Sequence, residues 1–181
     1  TMDDKSMRLT THYLYYNRGD NLAYYLGGGK IVNRKEKNTL TIDVGYYYPQ
    51  SKRFFFKDSV KMVNKDYTIE CDTLRYNTET EITYFEGPTV ITSDENTIYC
   101  HKGYYDTKGD LAEFTNEARI VSDEQELLGD SIVYNRETGI GQAWCNVSII
   151  DTTQDFIING DYAKYNEKDS TTLVHTWMEL I

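Results

Sequence analysis

Proline is almost absent from this chain, at two residues in 181. Cysteine is nearly as scarce. Cys71, Cys100 and Cys145 are an odd set without a CxxC spacing, which excludes a dense disulfide scaffold and a four-cysteine zinc site. Cations are short too: 19 Lys and Arg against 29 Asp and Glu leave a net charge of −10. Such a surface lacks the basic stripe that displaces counterions from nucleic acid, and an anionic membrane face would repel it. No run approaches the roughly 20 apolar residues of a membrane-spanning helix. The opening Thr-Met-Asp-Asp-Lys has no apolar core of a secretion signal, and a chain opening on Thr reads as an excerpt. Helix-type runs of Ala, Leu and Lys are missing as well. What fills the space is tyrosine, 17 residues, with Thr, Ile and Val, which suit a pleated, half-buried surface. The expectation is an all-β chain, with enough aromatic burial to exclude disorder.

The tyrosines are periodic. Tyr16-Asn17, Tyr48-Pro49, Tyr76-Asn77, Tyr105-Asp106, Tyr134-Asn135 and Tyr165-Asn166 are spaced by 32, 28, 29, 29 and 31 residues. Each central unit reads as two strands separated by polar turns rich in Asn, Asp, Ser, Thr and Gly. In the first strand, Thr83, Phe85, Gly87, Thr89 and Ile91 alternate onto one face, as do Ala112, Phe114, Asn116, Ala118 and Ile120 a unit later. Gly141, Ala143, Cys145, Val147 and Ile149 follow in the third unit. The small middle residue (Gly87, Asn116, Cys145) suits a bend or a close backbone approach. The second strand changes parity halfway, between Ile69-Cys71 and Leu74-Tyr76 for example. A bulge or corner restores the facing, at Asp72, His101, Asp130 and Asp161.

The expected architecture is therefore a bent, two-walled β-jelly-roll or β-solenoid of stacked repeats of about 29 residues, one domain over 1–181, in ten to twelve strands. Residues 53–166 hold the regular repeats and 167–181 a terminal strand. Residues 1–52 are expected to be irregular, with a longer loop spanning Gly27-Gly28-Gly29 and the charged Lys30–Lys37 run, and Phe54–Met62 fits with a one-residue slip. Phe85, Ile91, Ile98, Phe114, Ile120, Leu127, Val147, Ile149 and Ile158 should point inward; Glu86, Glu113, Arg119 and Lys164 should point outward. The inward faces of the first and second strands are expected to form the two walls.

Catalytic signals are weak. Gly27-Gly28-Gly29-Lys30-Ile31 lacks the spacing, the Ser or Thr after Lys, and the helix of a phosphate loop. His12, His101 and His175 are isolated, without metal-ligand spacing. The periodic acids do not follow the nonapeptide pattern of calcium-binding β-rolls and read as turn caps. No carboxylate pair stands out as a hydrolytic couple. The reading is a non-enzyme that carries neither cofactor nor metal. Cys71 and Cys100 hold the same place in adjacent units, either as small buried residues or as a disulfide.

Phe85-Glu86-Gly87-Pro88-Thr89-Val90-Ile91 and Leu128-Gly129-Asp130-Ser131-Ile132-Val133-Tyr134-Asn135 carry a further signal, together with residues 111–120 and 158–166. This repeat resembles the OstA-like, LptA-type lipopolysaccharide-transport family, closely over 53–166 and loosely before. The resemblance implies a periplasmic carrier that holds lipopolysaccharide acyl chains in an apolar groove and joins like-shaped partners end to end, toward the outer membrane. The groove residues expected from the columns are Phe85, Ile91, Phe114, Ile120, Val147 and Ile149. Implied partners are lipopolysaccharide or a similar lipid, and other jelly-roll transport proteins through edge strands. Head-to-tail addition can also run from copy to copy. The alternatives are a structural β-solenoid module of a larger envelope protein, and a carbohydrate-binding domain using exposed tyrosines.

Overall fold

The computed structural model describes residues 2–3, 7–34, 37–166, 168 and 171–176. Fourteen strands follow in chain order: β1 Met2–Asp3, β2 Met7–Thr11, β3 Tyr15–Asn17, β4 Leu22–Asn33, β5 Asn38–Tyr48, β6 Arg53–Val63 and β7 Tyr67–Asn77. They continue with β8 Ile82–Ser93, β9 Asn96–Asp106, β10 Leu111–Ser122, β11 Gln125–Asn135, β12 Ile140–Asp151, β13 Phe156–Asn166 and β14 Thr171–His175. No helix occurs among the described residues. The strands form one open antiparallel sheet, and from β4 onward each pairs with its sequence neighbours. β2 and β3 both lie along β4, on opposite halves of it.

Nearly every long strand is creased at its middle. In β10, Thr115 faces Ser131 and Ala118 faces Gly129, so Asn116 and Glu117 oppose the single residue Asp130. Asn116 and Glu117 take φ of 60° and 63°, the left-handed region. Two residues against one is a bulge, and it bends and twists the strand that carries it. Gly27-Gly28, Asp58-Ser59, Gly87-Pro88 and Cys145-Asn146 hold the same place opposite Asp43, Asp72, His101 and Asp161. The small residues noticed in the sequence are thus bend residues selected by backbone conformation. Stacked in register, the bulges fold the sheet into two walls facing a common core.

This corrects the expected wall assignment. First and second strands are hydrogen-bonded neighbours in one sheet, and each gives half of its length to each wall.

The inner face is arranged in rows across the sheet. One wall carries Leu9, Ile31, Leu40, Met62, Ile69, Ile91, Ile98, Ile120, Leu127 and Ile149, each the cross-strand partner of the next. On the other wall two of the Tyr marks sit between small partners: Tyr105 between Thr83 and Ala112, Tyr134 between Ala112 and Gly141. The Asn or Asp after each Tyr closes the turn. Asn77 Oδ1 accepts from the backbone N–H of Glu79 and Thr80, and Asp106 Oδ1 from Lys108 and Gly109.

Several expectations change in the first third. Gly27 and Gly28 lie inside β4 at its bulge, so no loop interrupts residues 22–33. The inward mark is Tyr47, which pairs with Ala23 and Phe54, whereas Tyr48 ends β5. With Tyr47 the spacings become 31, 29, 29, 29 and 31. The two longer intervals hold four residues between strands, 34–37 and 152–155, where the corresponding places of the other units hold two or three. Nor does the second unit slip: Phe56, Asp58, Val60 and Met62 precede Phe85, Gly87, Thr89 and Ile91 by 29 residues each.

Phe85, Phe114 and Val147 are buried, and Ile91, Ile98, Ile120, Leu127 and Ile149 pack partly buried against them. Ile158 is 40% exposed, contrary to expectation; among the described residues β14 pairs with β13 over Tyr162–Asn166. The outer face mixes charged pairs with an aromatic row that includes Tyr24, Tyr46 and Phe55. Arg75 pairs there with Glu86, and Arg119 with Glu126 through Nε at 2.6 Å and Nη2 at 2.9 Å. Residues 177–181 of the expected terminal strand lie outside the described residues.

Candidate functional site: an apolar cavity between the walls

Between the walls in the N-terminal half lies a cavity of about 440 Å³. Its floor and sides are Ile31, Leu40, Phe54, Phe56, Met62, Ile69, Leu74, Phe85, Ile91, Ile98, Ala112 and Phe114. The wall of the Tyr marks supplies the phenylalanines, since Phe56, Phe85 and Phe114 recur in its inner row at the 29-residue period. Between them stand small or narrower partners: Gly103 separates Phe85 from Phe114, and a Cβ there would lie 2.6 Å from the Glu113 carbonyl oxygen. The opposite wall supplies branched and flexible aliphatics such as Ile31, Met62 and Ile91. This volume falls within the ~300–1,000 Å³ of sites that enclose small organic ligands.

The mouth is polar. Asn33, Asn38, Asn64, Asp66 and Tyr67 line it from one wall; Glu81, Tyr105, Thr107 and Arg136 line it from the other. Burial pushes the Tyr67 phenol above its ordinary range, with Tyr105 adding to the rise. Arg136 hydrogen-bonds Tyr105 and is held strongly cationic by it, with Asp110 contributing. The Tyr105 hydroxyl also donates to Asp110 Oδ1 at 3.4 Å.

Of the groove residues named from the sequence, Phe85, Ile91 and Phe114 line this cavity. Ile120, Val147 and Ile149 lie farther along the core, packed with Cys100, Ala118, Ile132, Ala143 and Ala163. The sequence reading missed Phe56, Met62, Tyr67 and Arg136. The signal for Phe56 and Met62 was available in the 29-residue step back from Phe85 and Ile91; nothing in the sequence marks Tyr67 or Arg136 as facing one another.

The cysteines do not pair. Thr89 stands between Cys71 and Cys100 as the cross-strand partner of both. A unit is two strands, so equal places in consecutive units are about 9.6 Å apart, beyond disulfide reach. Burial pushes the thiol of Cys71 up to about 12, helped by Asp72 and Cys100, and that of Cys100 up to about 11. Among the described residues no group of three or more His, Cys, Asp or Glu is placed to hold a metal.

A creased antiparallel sheet with an apolar trough between its halves defines a two-walled β-jelly-roll. The model of the OstA-like protein family matches residues 1–72 and 71–177, and the chain belongs to that family. Among solved structures it is similar to LptH of Pseudomonas aeruginosa, described as the LptA-homologous periplasmic component of the conserved lipopolysaccharide transport device. That similarity has a TM-score of 0.52 at 12% identity, over 72% of this chain and 86% of LptH, and it shows the fold. No curated protein matches.

Proposed function

We propose that this chain is a non-catalytic periplasmic carrier that takes the acyl chains of lipopolysaccharide, or of a similar lipid, into the cavity between its walls. It would pass them toward the outer membrane through end-to-end assembly. The observation that carries this reading is the lining: aromatic on one wall, aliphatic on the other, with polar groups confined to the mouth. Each methylene moved from water into such a lining contributes roughly 0.8 kcal/mol without any directional contact. Family membership and the fold shared with LptH support the same assignment.

The ends of the sheet suit assembly. Among the described residues β14 pairs with Tyr162–Asn166 of β13, and Phe156, Ile157 and Ile158 of the same strand are exposed. An exposed apolar strand near the end of a sheet suits strand addition by a partner of the same fold.

Photo-crosslinking side chains placed at Phe85, Phe114 and Val147 test the proposal. Those at Phe85 and Phe114 should capture lipopolysaccharide, while those at the outward Glu86 and Glu113 should not. Capture at Val147 would extend the path into the C-terminal core. Equal labelling of both faces would favour a structural module without lipid cargo.

A further inference from the structure

The acyl-chain reading, on which this inference rests, says nothing of where the polar end of a guest sits. The charged residues that line the cavity are Asp66, Glu81 and Arg136, so Arg136 is its one lining cation among the described residues. Arg136 stands on the turn between β11 and β12, exposed at the rim of the wall that carries the Tyr marks. Tyr105 and Asp110 steady the guanidinium from its own wall, and Tyr67 reaches into the same field from the opposite one. A guanidinium presents five donors in a planar fork, and one phenol does not exhaust them. Thr107 and Asn64 add polar side chains to the same mouth.

The carboxylates narrow the choice of position. Asp66 lies on the β6–β7 turn, with Lys65 Nζ 3.3 Å from its Oδ1, and Glu81 on the turn before β8. Both place carboxylate charge on their stretches of rim, Lys65 offsetting that of Asp66, and Asp110 occupies the flank of Arg136. The lining cation therefore offers an anionic head its seat, with the chain running inward over Phe114 and Phe85.

We propose that Arg136, with Tyr105 and Tyr67 beside it, seats the anionic oxygens of a lipid headgroup, phosphate being the chemistry that best matches a guanidinium fork. The proposal distinguishes a lipid-borne anion from free phosphate, because the chain in the cavity supplies the remaining affinity.

The test displaces the apolar fluorophore N-phenylnaphthylamine from the chain with dodecyl phosphate, dodecanol or inorganic phosphate, using wild type, Arg136→Gln and Arg136→Lys. Dodecyl phosphate should bind wild type about tenfold more tightly than dodecanol, Arg136→Gln should bring the two level, and Arg136→Lys should keep part of the preference. Dodecanol affinity should stay within about twofold in both variants, which also reports an intact cavity. An unchanged preference in Arg136→Gln overturns the headgroup seat while leaving the cavity reading in place. Inorganic phosphate competing as well as dodecyl phosphate also overturns it, because the seat would then serve a free anion. Failure of the fluorophore and both amphiphiles to bind overturns the cavity reading and the seat with it.

Discussion

Asp72 faces the bulge formed by Gly87 and Pro88, and a Cβ added to Gly87 would lie 2.8 Å from the Cβ of Asp72. Gly87 also holds φ at +81°. Crowding and backbone strain therefore act together at one point of the crease. Gly87→Ala should cost about 1–3 kcal/mol in urea unfolding. Asn116→Gly, at the equivalent place with φ of 60°, should be neutral or slightly stabilising. Equal effects at the two sites would mean that the crease does not depend on left-handed backbone.

Tyr25 is 3% exposed, and its hydroxyl is buried without a hydrogen-bond partner. Its ring fills the space over Gly29 and Gly45, where an added Cβ would lie 2.4 Å from ring carbons. Tyr25→Phe removes an unsatisfied polar atom and keeps the ring, and should raise stability by about 1 kcal/mol. Gly45→Val should be strongly destabilising, and circular dichroism melts of the two variants should move in opposite directions.

Arg119 and Ile120 are adjacent and point to opposite faces. Ile120→Asp places a charge among Ile98, Leu127 and Ile149 and should cost several kcal/mol. Arg119→Asp loses an exposed pair with Glu126 and should cost about 1 kcal/mol or a little more, since like charges then meet. Chemical denaturation of both variants reads the register directly.

Cys145 is exposed at a bulge, whereas Cys71 and Cys100 are buried. One thiol should react quickly with a maleimide in the native protein and all three in urea. The raised thiols also set a pH dependence. Cys71 and Cys100 ordinarily titrate at 9.0, and when folded at about 12 and about 11. Between those values the unfolded chain has lost thiol protons that the native chain keeps, so the slope of stability with pH is negative. Their contribution is fully present below pH 9 and is lost as pH rises through 11 to 12. Cys71→Ser with Cys100→Ser should flatten that alkaline fall in stability.

Much of this architecture is written in single residues. Tyr76, Tyr105 and Tyr134, each followed by Asn or Asp, fix the period because the ring needs a small cross-strand partner and the next side chain must cap a turn. The parity change at Asp72 and Asp130 locates the crease. What the sequence obscured was conformation hidden behind composition. Gly27-Gly28 reads as a loop, although the same residues satisfy a bulge inside a strand. Phe54-Phe55-Phe56 hides its alternation, because Phe55 belongs to the outer face, in a tilted ring contact with Tyr46 at 6.1 Å. The mouth was the least legible part: Tyr67 and Arg136 are 69 positions apart, and only the closing of one wall on the other brings them near Tyr105.

The crease recurs in the same phase of every unit, so the trough is modular along its length. Each unit of 29 residues contributes two strands, or about 9.6 Å of trough, and touches only its neighbours. Excising residues 83–111 would join Ile82 to Ala112 in the phase that Thr83 now occupies, leaving alternation, bulges and turns intact. The distance such a protein spans can thus be edited by whole repeats, as a ruler is cut at its graduations, without redesigning its interior.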